Sequence, residues 1–180
     1  MPQPQRPEQS EYGAYYHRYI ERVPDGDVRM IMRVQLADTL ALLRPLSEEQ
    51  AGFRYAEGKW SIRQVIGHLA DTERIFVYRA LRIARGDQTP LAGFNENVYA
   101  DKGGFDERPL HSLLAELEAT RAASAAFFQS LSEGAWTCMG TANDYPISVR
   151  ALAYIMAGHE LHHRAILQDK YLAPGAPAQG

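Results

Sequence analysis

Cysteine is almost missing from this chain of 180 residues: Cys138 is the single example, so no internal disulfide can form. Disulfide-stapled secreted domains need several bridges, and the expected setting is therefore a reducing cytoplasm. As a nucleophile Cys138 needs a base beside it, and none is evident nearby; a small packed side chain is the simpler reading. Long apolar runs are absent too, with nothing approaching the roughly 18 residues of a membrane-spanning helix. The amino-terminal stretch Met1-Pro-Gln-Pro-Gln-Arg-Pro-Glu lacks the apolar segment of a secretory signal. Basic excess is the third absence: 19 Lys and Arg face 22 Asp and Glu, a formal charge of −3. With nothing gathered to grip phosphates, neither nucleic acid nor a membrane is an expected partner, and a small-molecule substrate is.

What is present is ordinary for one globular domain, with 46% hydrophobic and 23% charged residues. Residues 1–11, rich in Pro and Gln, are expected as a flexible tail, residues 12–172 as the domain, and 173–180 as a second flexible tail. Tyr12, Tyr15, Tyr16, Tyr19 and Ile20 suggest a short aromatic helical segment. Pro24-Asp25-Gly26-Asp27 is turn chemistry, with an acidic side chain to cap the next helix. From Val28 to about Arg44, apolar residues recur at three and four, the spacing of an amphipathic helix, and Pro45 stops it. Ser47 with Gln50, and Ser61 with Gln64, have capping-box spacing.

The second long helix carries Ile62, Val65, Ile66, Leu69, Phe76 and Ala80 as one stripe, ending near Arg85-Gly86. A polar connection over 86–107 comes next, long enough to be a lid or disordered. Phe94, Asn95 and Tyr99 are its candidates for substrate contact. The third long helix starts near Pro109 and ends before Gly134. Trp136–Pro146 reads as a second connection, and Ser148 caps the last helix. No period-two alternation competes with these assignments. Four principal amphipathic helices predict an all-α four-helix bundle, in which metal sites are built from inward-facing side chains.

The last helix contains Gly158-His159-Glu160-Leu161-His162-His163, three of the six histidines in the chain. His159 and His163 lie one turn apart on its apolar stripe, where two imidazoles can converge on one ion. Two buried neutral donors would otherwise each need a separate partner. A third ligand must come from another helix, and His68 is the histidine in the middle of one. His17 and His111 are expected to face solvent. His162 points away from the stripe centre and is expected as a bystander or supporting neighbour. The same letters spell H-E-x-x-H, the zinc-protease signature. That reading needs a third ligand downstream, and no histidine comes after His163; Glu160 is expected to rotate toward the bundle surface. Glu73 falls within the stripe of the second helix, where a carboxylate needs a partner. It is a candidate for orienting a ligand or moving a proton, with a salt bridge to an arginine as the alternative.

Gly58-Lys59-Trp60-Ser61-Ile62-Arg63-Gln64-Val65-Ile66-Gly67-His68-Leu69-Ala70-Asp71-Thr72-Glu73-Arg74-Ile75-Phe76, joined to Gly158–His163, resembles the DinB-like superfamily. Tyr16-His17-Arg18-Tyr19-Ile20, Val23–Asp27 and Arg79–Asp87 fit the same pattern, so the resemblance covers about residues 12–172. It implies a four-helix bundle in up-down-down-up order. It further implies a divalent metal, zinc or nickel foremost, held by a triad matching His68, His159 and His163. Relatives are commonly homodimers and include thiol S-transferases using bacillithiol, mycothiol-dependent maleylpyruvate isomerases and metal-dependent hydrolases. The resemblance thus implies a transferase or hydrolase acting on a small molecule, with a low-molecular-weight thiol as cosubstrate in the transferase case. The alternative is a non-catalytic metal-binding stress-response module that acts as a dimer.

Overall fold

The computed structural model describes residues 4–173, so residues 1–3 and all but residue 173 of the expected 173–180 tail lie outside the described residues. Two single 3-10 turns, Gln9–Glu11 and Ala14–Tyr16, lead into the short helix α1 (His17–Ile20). After it come α2 (Val28–Leu43), α3 (Glu48–Ala51), α4 (Ile62–Ala84), α5 (Glu96–Lys102) and α6 (Leu110–Ser130). A hairpin of β1 (Met139–Ala142) and β2 (Tyr145–Ser148) precedes α7 (Val149–Ile166).

The starts of these helices are set by their capping residues. Asp27 accepts from the Arg29 backbone N–H at 3.0 Å, and Ser148 Oγ accepts from the Ala151 N–H at 2.9 Å. Ser47 with Gln50 and Ser61 with Gln64 both form reciprocal capping boxes, which satisfy N–H groups that a helix start leaves open.

The long helices α2, α4, α6 and α7 form the bundle: α4 packs against α6 and α7, and α2 packs against the same two. The consecutive long helices α2 and α4 therefore face each other across the diagonal. Their directions can be read from the core. Val28 and Met32 of α2, Phe76 and Ile83 of α4, Phe128 of α6 and Val149 of α7 share one apolar cluster. Leu40 and Leu43, Ile62 and Ile66, Leu110 and Leu113, and Leu167 just beyond α7 share the other. α2 and α7 thus run from the first cluster to the second, and α4 and α6 run back, which is the up-down-down-up order.

Between the two clusters the core is polar. Arg121 of α6 sits at its centre, 3% exposed. Its Nε and Nη2 donate to the two oxygens of Glu73 on α4 at 2.9 and 2.8 Å. Nη2 also donates to Glu160 of α7 at 2.9 Å, and Nη1 to the Met32 carbonyl of α2 at 2.6 Å. Glu160 accepts two further bonds from α2, from Gln35 at 2.5 Å and Thr39 at 2.7 Å. Burial works against the Arg121 charge, but the carboxylates of Glu160 and Glu73 outweigh it and raise its pKa.

Three expectations need correction. Residues 4–11 are not a flexible tail: Pro4 and Pro7 are buried, and Arg6 donates to the Ile20 and Val23 carbonyls at 2.7 and 2.6 Å. Glu11 pairs with Arg150 at the start of α7. Prolines stiffen this segment, and backbone carbonyls anchor it, so its composition hides its order. The 136–146 connection contains the hairpin, whose two-residue turn places Asn143 and Asp144 at φ 51° and 67°. Such turns are usually announced by Asn-Gly or Asp-Gly, and this one lacks the glycine. The 86–107 connection is ordered as well. Leu91 pairs with β1 through its N–H to the Thr141 carbonyl at 2.9 Å, and Asn95 caps α5.

Gly158 shows how closely the amino-terminal segment is seated: a Cβ there would lie 1.9 Å from the Tyr19 carbonyl oxygen. α1 therefore rests directly on the α7 backbone.

Removing Arg121 alone leaves two carboxyl groups in the core without their shared cation. Arg121→Met is expected to destabilise the fold by about 3–5 kcal/mol in urea denaturation. Replacing Arg121, Glu73 and Glu160 together by apolar residues should recover much of that loss. A single-variant loss below about 1 kcal/mol would show that the network is not holding the helices.

Candidate metal centre

His68 lies in the first third of α4, and His159 and His163 in the second half of the antiparallel α7, so the helices bring the three rings to one level. His68 Nε2 is 2.9 Å from His159 Nε2, and His163 Nε2 is 3.1 Å from the same atom. Donor atoms of all three lie within 4.8 Å of one another. Neutral imidazoles carry one N–H each, so three ring nitrogens facing a common point cannot all be satisfied by one another. A cation with all three lone pairs directed at it resolves the conflict. Tetrahedral coordination at 2.0–2.1 Å per bond has an N–N edge of about 3.3 Å, close to the spacing seen. The donor set fits a divalent ion of the borderline kind, such as zinc or nickel.

The surroundings hold these rings neutral. Burial pushes His68 down to about 4. Burial, reinforced by the neighbouring histidines, pushes His159 and His163 well below the ordinary range. The Thr72 hydroxyl lies 3.3 Å from His68 Nδ1, where it can accept that N–H and leave Nε2 free to ligate. The Trp60 ring lies nearly parallel to His163, with centroids 6.4 Å apart, and Tyr19 packs edge-on against His159 at 5.4 Å. Aromatic surface thus wraps the triad.

The triad opens into a cavity of about 480 Å³. Its walls include Tyr16 and Tyr19 from the amino-terminal segment, Phe76 and Arg79 from α4, Phe94 from the 86–107 connection and Tyr145 from the hairpin. His162 also faces it, packed on Tyr19 at 5.4 Å, with no hydrogen bond to the triad among the described residues. Of the three loop candidates for substrate contact, Phe94 lines the cavity. Asn95 is occupied as the α5 cap, accepting from the Asn97 and Val98 N–H groups at 3.0 and 3.2 Å. Tyr99 is exposed and packs on the Phe94 ring at 5.2 Å.

Both carboxylates singled out in the sequence lie elsewhere. Glu73 is spent on Arg121, an arginine of another helix. Glu160 is not at the bundle surface but 2% exposed in the core, because the turn of about 100° from His159 leads toward α2 and α6. Both sit behind His159, across a void of only about 10 Å³. His17 and His111 are exposed, as expected. Thr72, Trp60 and Arg79 line the site although none is among the candidates read from the sequence; the i, i+4 phase of His68, Thr72 and Phe76 is the signal that points to the first.

Fold and site together define a helical bundle with three imidazoles, able to hold a metal ion, on two antiparallel helices at the floor of a pocket. A profile of the DinB superfamily matches residues 32–167, and the chain belongs to that superfamily. A Geobacillus kaustophilus protein named "Putative metal-dependent hydrolase" is 28% identical over 133 residues, 72% of this chain and 74% of its own length. A Bacillus licheniformis protein of the same name is 33% identical over 127 residues, 67% of this chain and 69% of that one. Among solved structures, Bacillus subtilis YfiT, described as a probable metal-dependent hydrolase with an unusual four-helix bundle topology, superposes with TM-score 0.71 at 18% identity. The match covers 92% of this chain and 90% of YfiT. A mycothiol-dependent maleylpyruvate isomerase superposes with TM-score 0.67 at 17% identity, over 81% of this chain and 61% of its own. At these identities the two structures establish likeness of fold.

Acidification should reveal the buried rings. Unfolded histidine takes a proton below about 6.5, whereas folded His68 does so only near 4. Between these values the unfolded chain binds more protons, so stability of chelator-treated protein is expected to fall as pH drops from about 6.5 toward about 4. Urea midpoints across that range measure it, and His68→Phe should flatten the slope. A wild-type slope that stays flat would mean the rings are not buried neutral.

Proposed function

We propose that the chain is a metal-dependent enzyme acting on a small molecule, with His68, His159 and His163 holding one divalent ion. The observation that carries this reading is the convergence of three neutral imidazole nitrogens at the floor of an open cavity. Three protein ligands leave a coordination position free, as catalytic sites do and closed structural sites do not. The ion, when bound, supplies Lewis-acid activation of a water or a thiol.

The chain's own residues do the rest. Thr72 fixes the His68 ring, Trp60 and Tyr19 pack on the other two, and aromatic side chains form part of the pocket wall. Glu73 and Glu160 are committed to Arg121, so neither is the proposed base; Glu73 supports the site from behind. His162 is a cavity-facing imidazole outside the triad.

Two chemistries use such a site. A thiol S-transferase would bring a low-molecular-weight thiol to the ion and direct it at an electrophile. A hydrolase would bring water instead, and the names of the relatives support that variant. The proposed setting is the cytoplasm, as a homodimer; the lone cysteine and the resemblance are the grounds. The competing reading is a non-catalytic metal-binding stress module, and the size of the cavity beside the triad weighs against it.

Purified protein is expected to carry about one divalent ion per chain by plasma emission spectrometry, and His68→Ala to lose most of it. Glu73→Gln should keep its metal. Turnover is then tested with bacillithiol, mycothiol or glutathione plus a chromogenic electrophile, and with chromogenic esters in the absence of thiol. Unchanged metal content in His68→Ala would end the triad assignment. Full metal content with no turnover for any thiol, ester and metal would favour the binding module.

A further inference from the structure

Arginines seldom lie in a protein interior without a carboxylate, because an uncompensated buried charge is costly. Two arginines are buried here, Arg121 and Arg79, at 3% and 2% exposure. Arg121 has two carboxylates. Arg79 has none within 4.0 Å among the described residues, and one of its N–H groups donates to the Ala92 carbonyl at 2.7 Å. It lines the cavity described above. The Phe94 ring lies 5.9 Å from its guanidinium carbon, and its charge acts on the neighbouring Tyr16 hydroxyl. The nearby carboxylate on the same rim, Glu96, is exposed at the start of α5 and does not pair with it.

We propose that Arg79 binds the carboxylate of an elongated small-molecule acid whose other end reaches the histidine triad. The inference rests on reading the triad as the reactive end of the cavity. His68, Thr72, Phe76 and Arg79 all line that cavity from one stripe of α4. The helical path from His68 to Arg79 is about 16 Å long at 1.5 Å per residue. Helical side chains lean toward the amino terminus, and both residues share that lean, so the span between their ends stays on the order of 15 Å. Phe76, on that stripe between His68 and Arg79, and Phe94, beside Arg79, add apolar surface to the cavity wall. That arrangement suits a molecule with a carboxylate at one end, an apolar or neutral middle, and the reacting group at the other. The planar guanidinium fork matches a carboxylate in two parallel bonds, which a lysine cannot reproduce. A phosphate could use the same fork, and the experiment separates the two.

The test is calorimetric titration of the full-length protein with octanoate, methyl octanoate and octyl phosphate, in metal-loaded and chelator-treated samples. Octanoate is expected to bind at least about tenfold more tightly than its ester, the margin of a charge-assisted bond. In Arg79→Gln the two should bind within about twofold of each other, and Arg79→Lys should retain part of the preference. The preference must persist in chelator-treated protein, so loss of the metal reading leaves this one standing. Equal binding of acid and ester by the wild type, or a preference that survives in Arg79→Gln, overturns the proposal. So does a preference seen only with metal present, since the carboxylate would then be bound at the triad. Tighter binding of octyl phosphate than of octanoate overturns the carboxylate assignment. If Arg79→Gln does not fold, the wild-type comparison and Arg79→Lys decide.

Discussion

The bundle depends on one buried cation. Arg121 reaches from α6 to Glu73 of α4, Glu160 of α7 and the Met32 carbonyl of α2, so a single guanidinium ties all four long helices together. Apolar packing alone is indifferent to small slides of one helix along another, because leucine rows can re-register by a turn. A planar fork with fixed partners is not indifferent, and a slide leaves buried charges unpaired. The register so fixed is the register the metal centre needs. Glu160 is the residue directly after His159, so anchoring Glu160 sets where His159 stands relative to His68 on the antiparallel neighbour.

The same network shapes the electrostatics of the centre. Two carboxyl groups share one guanidinium immediately behind His159, on the side away from the cavity. Negative charge so placed would favour a divalent cation in front of the ring. Glu160 therefore lies on the core side of His159, away from the cavity. Its place in the H-E-x-x-H spelling gives it no access to the cavity. The spelling specifies sequence spacing, but helix packing decides which side of the ring the carboxylate occupies.

How far the sequence discloses this molecule depends on the range of each interaction. Caps at Asp27, Ser47, Ser61 and Ser148 are local, and all are legible. The bundle is legible because four stripes at helical spacing have few ways to bury themselves. The convergence of His68 with His159 and His163 is legible because buried imidazoles at helical spacing point to a common partner. Glu160 is not, because a rotation of about 100° reads equally as surface or as a second buried face when neighbours are unknown. The amino-terminal wall escapes a sequence reading because Arg6 seeks the backbone carbonyls of Ile20 and Val23, 14 and 17 residues away, which no side-chain pattern records. The hairpin escapes it because its turn carries Asn143-Asp144, a pairing without the usual glycine.

Those hidden pieces are the ones that turn the groove above the histidine triad into a pocket. The four long helices supply the triad and Arg79, but Tyr16 and Tyr19 come from the seated amino-terminal segment, Phe94 from the 86–107 connection and Tyr145 from the hairpin. The bundle fixes what chemistry can occur, since the imidazoles stand on its rigid helices. The loops fix what can reach it, since three separate connections close the walls. Two of those walls are tied by backbone bonds: Leu91 to Thr141, and Asn143 to Leu91. Such bonds constrain the main chain and leave side chains free to vary. One triad-bearing frame can therefore present different walls, and a relative with the same triad need not share a substrate with this chain.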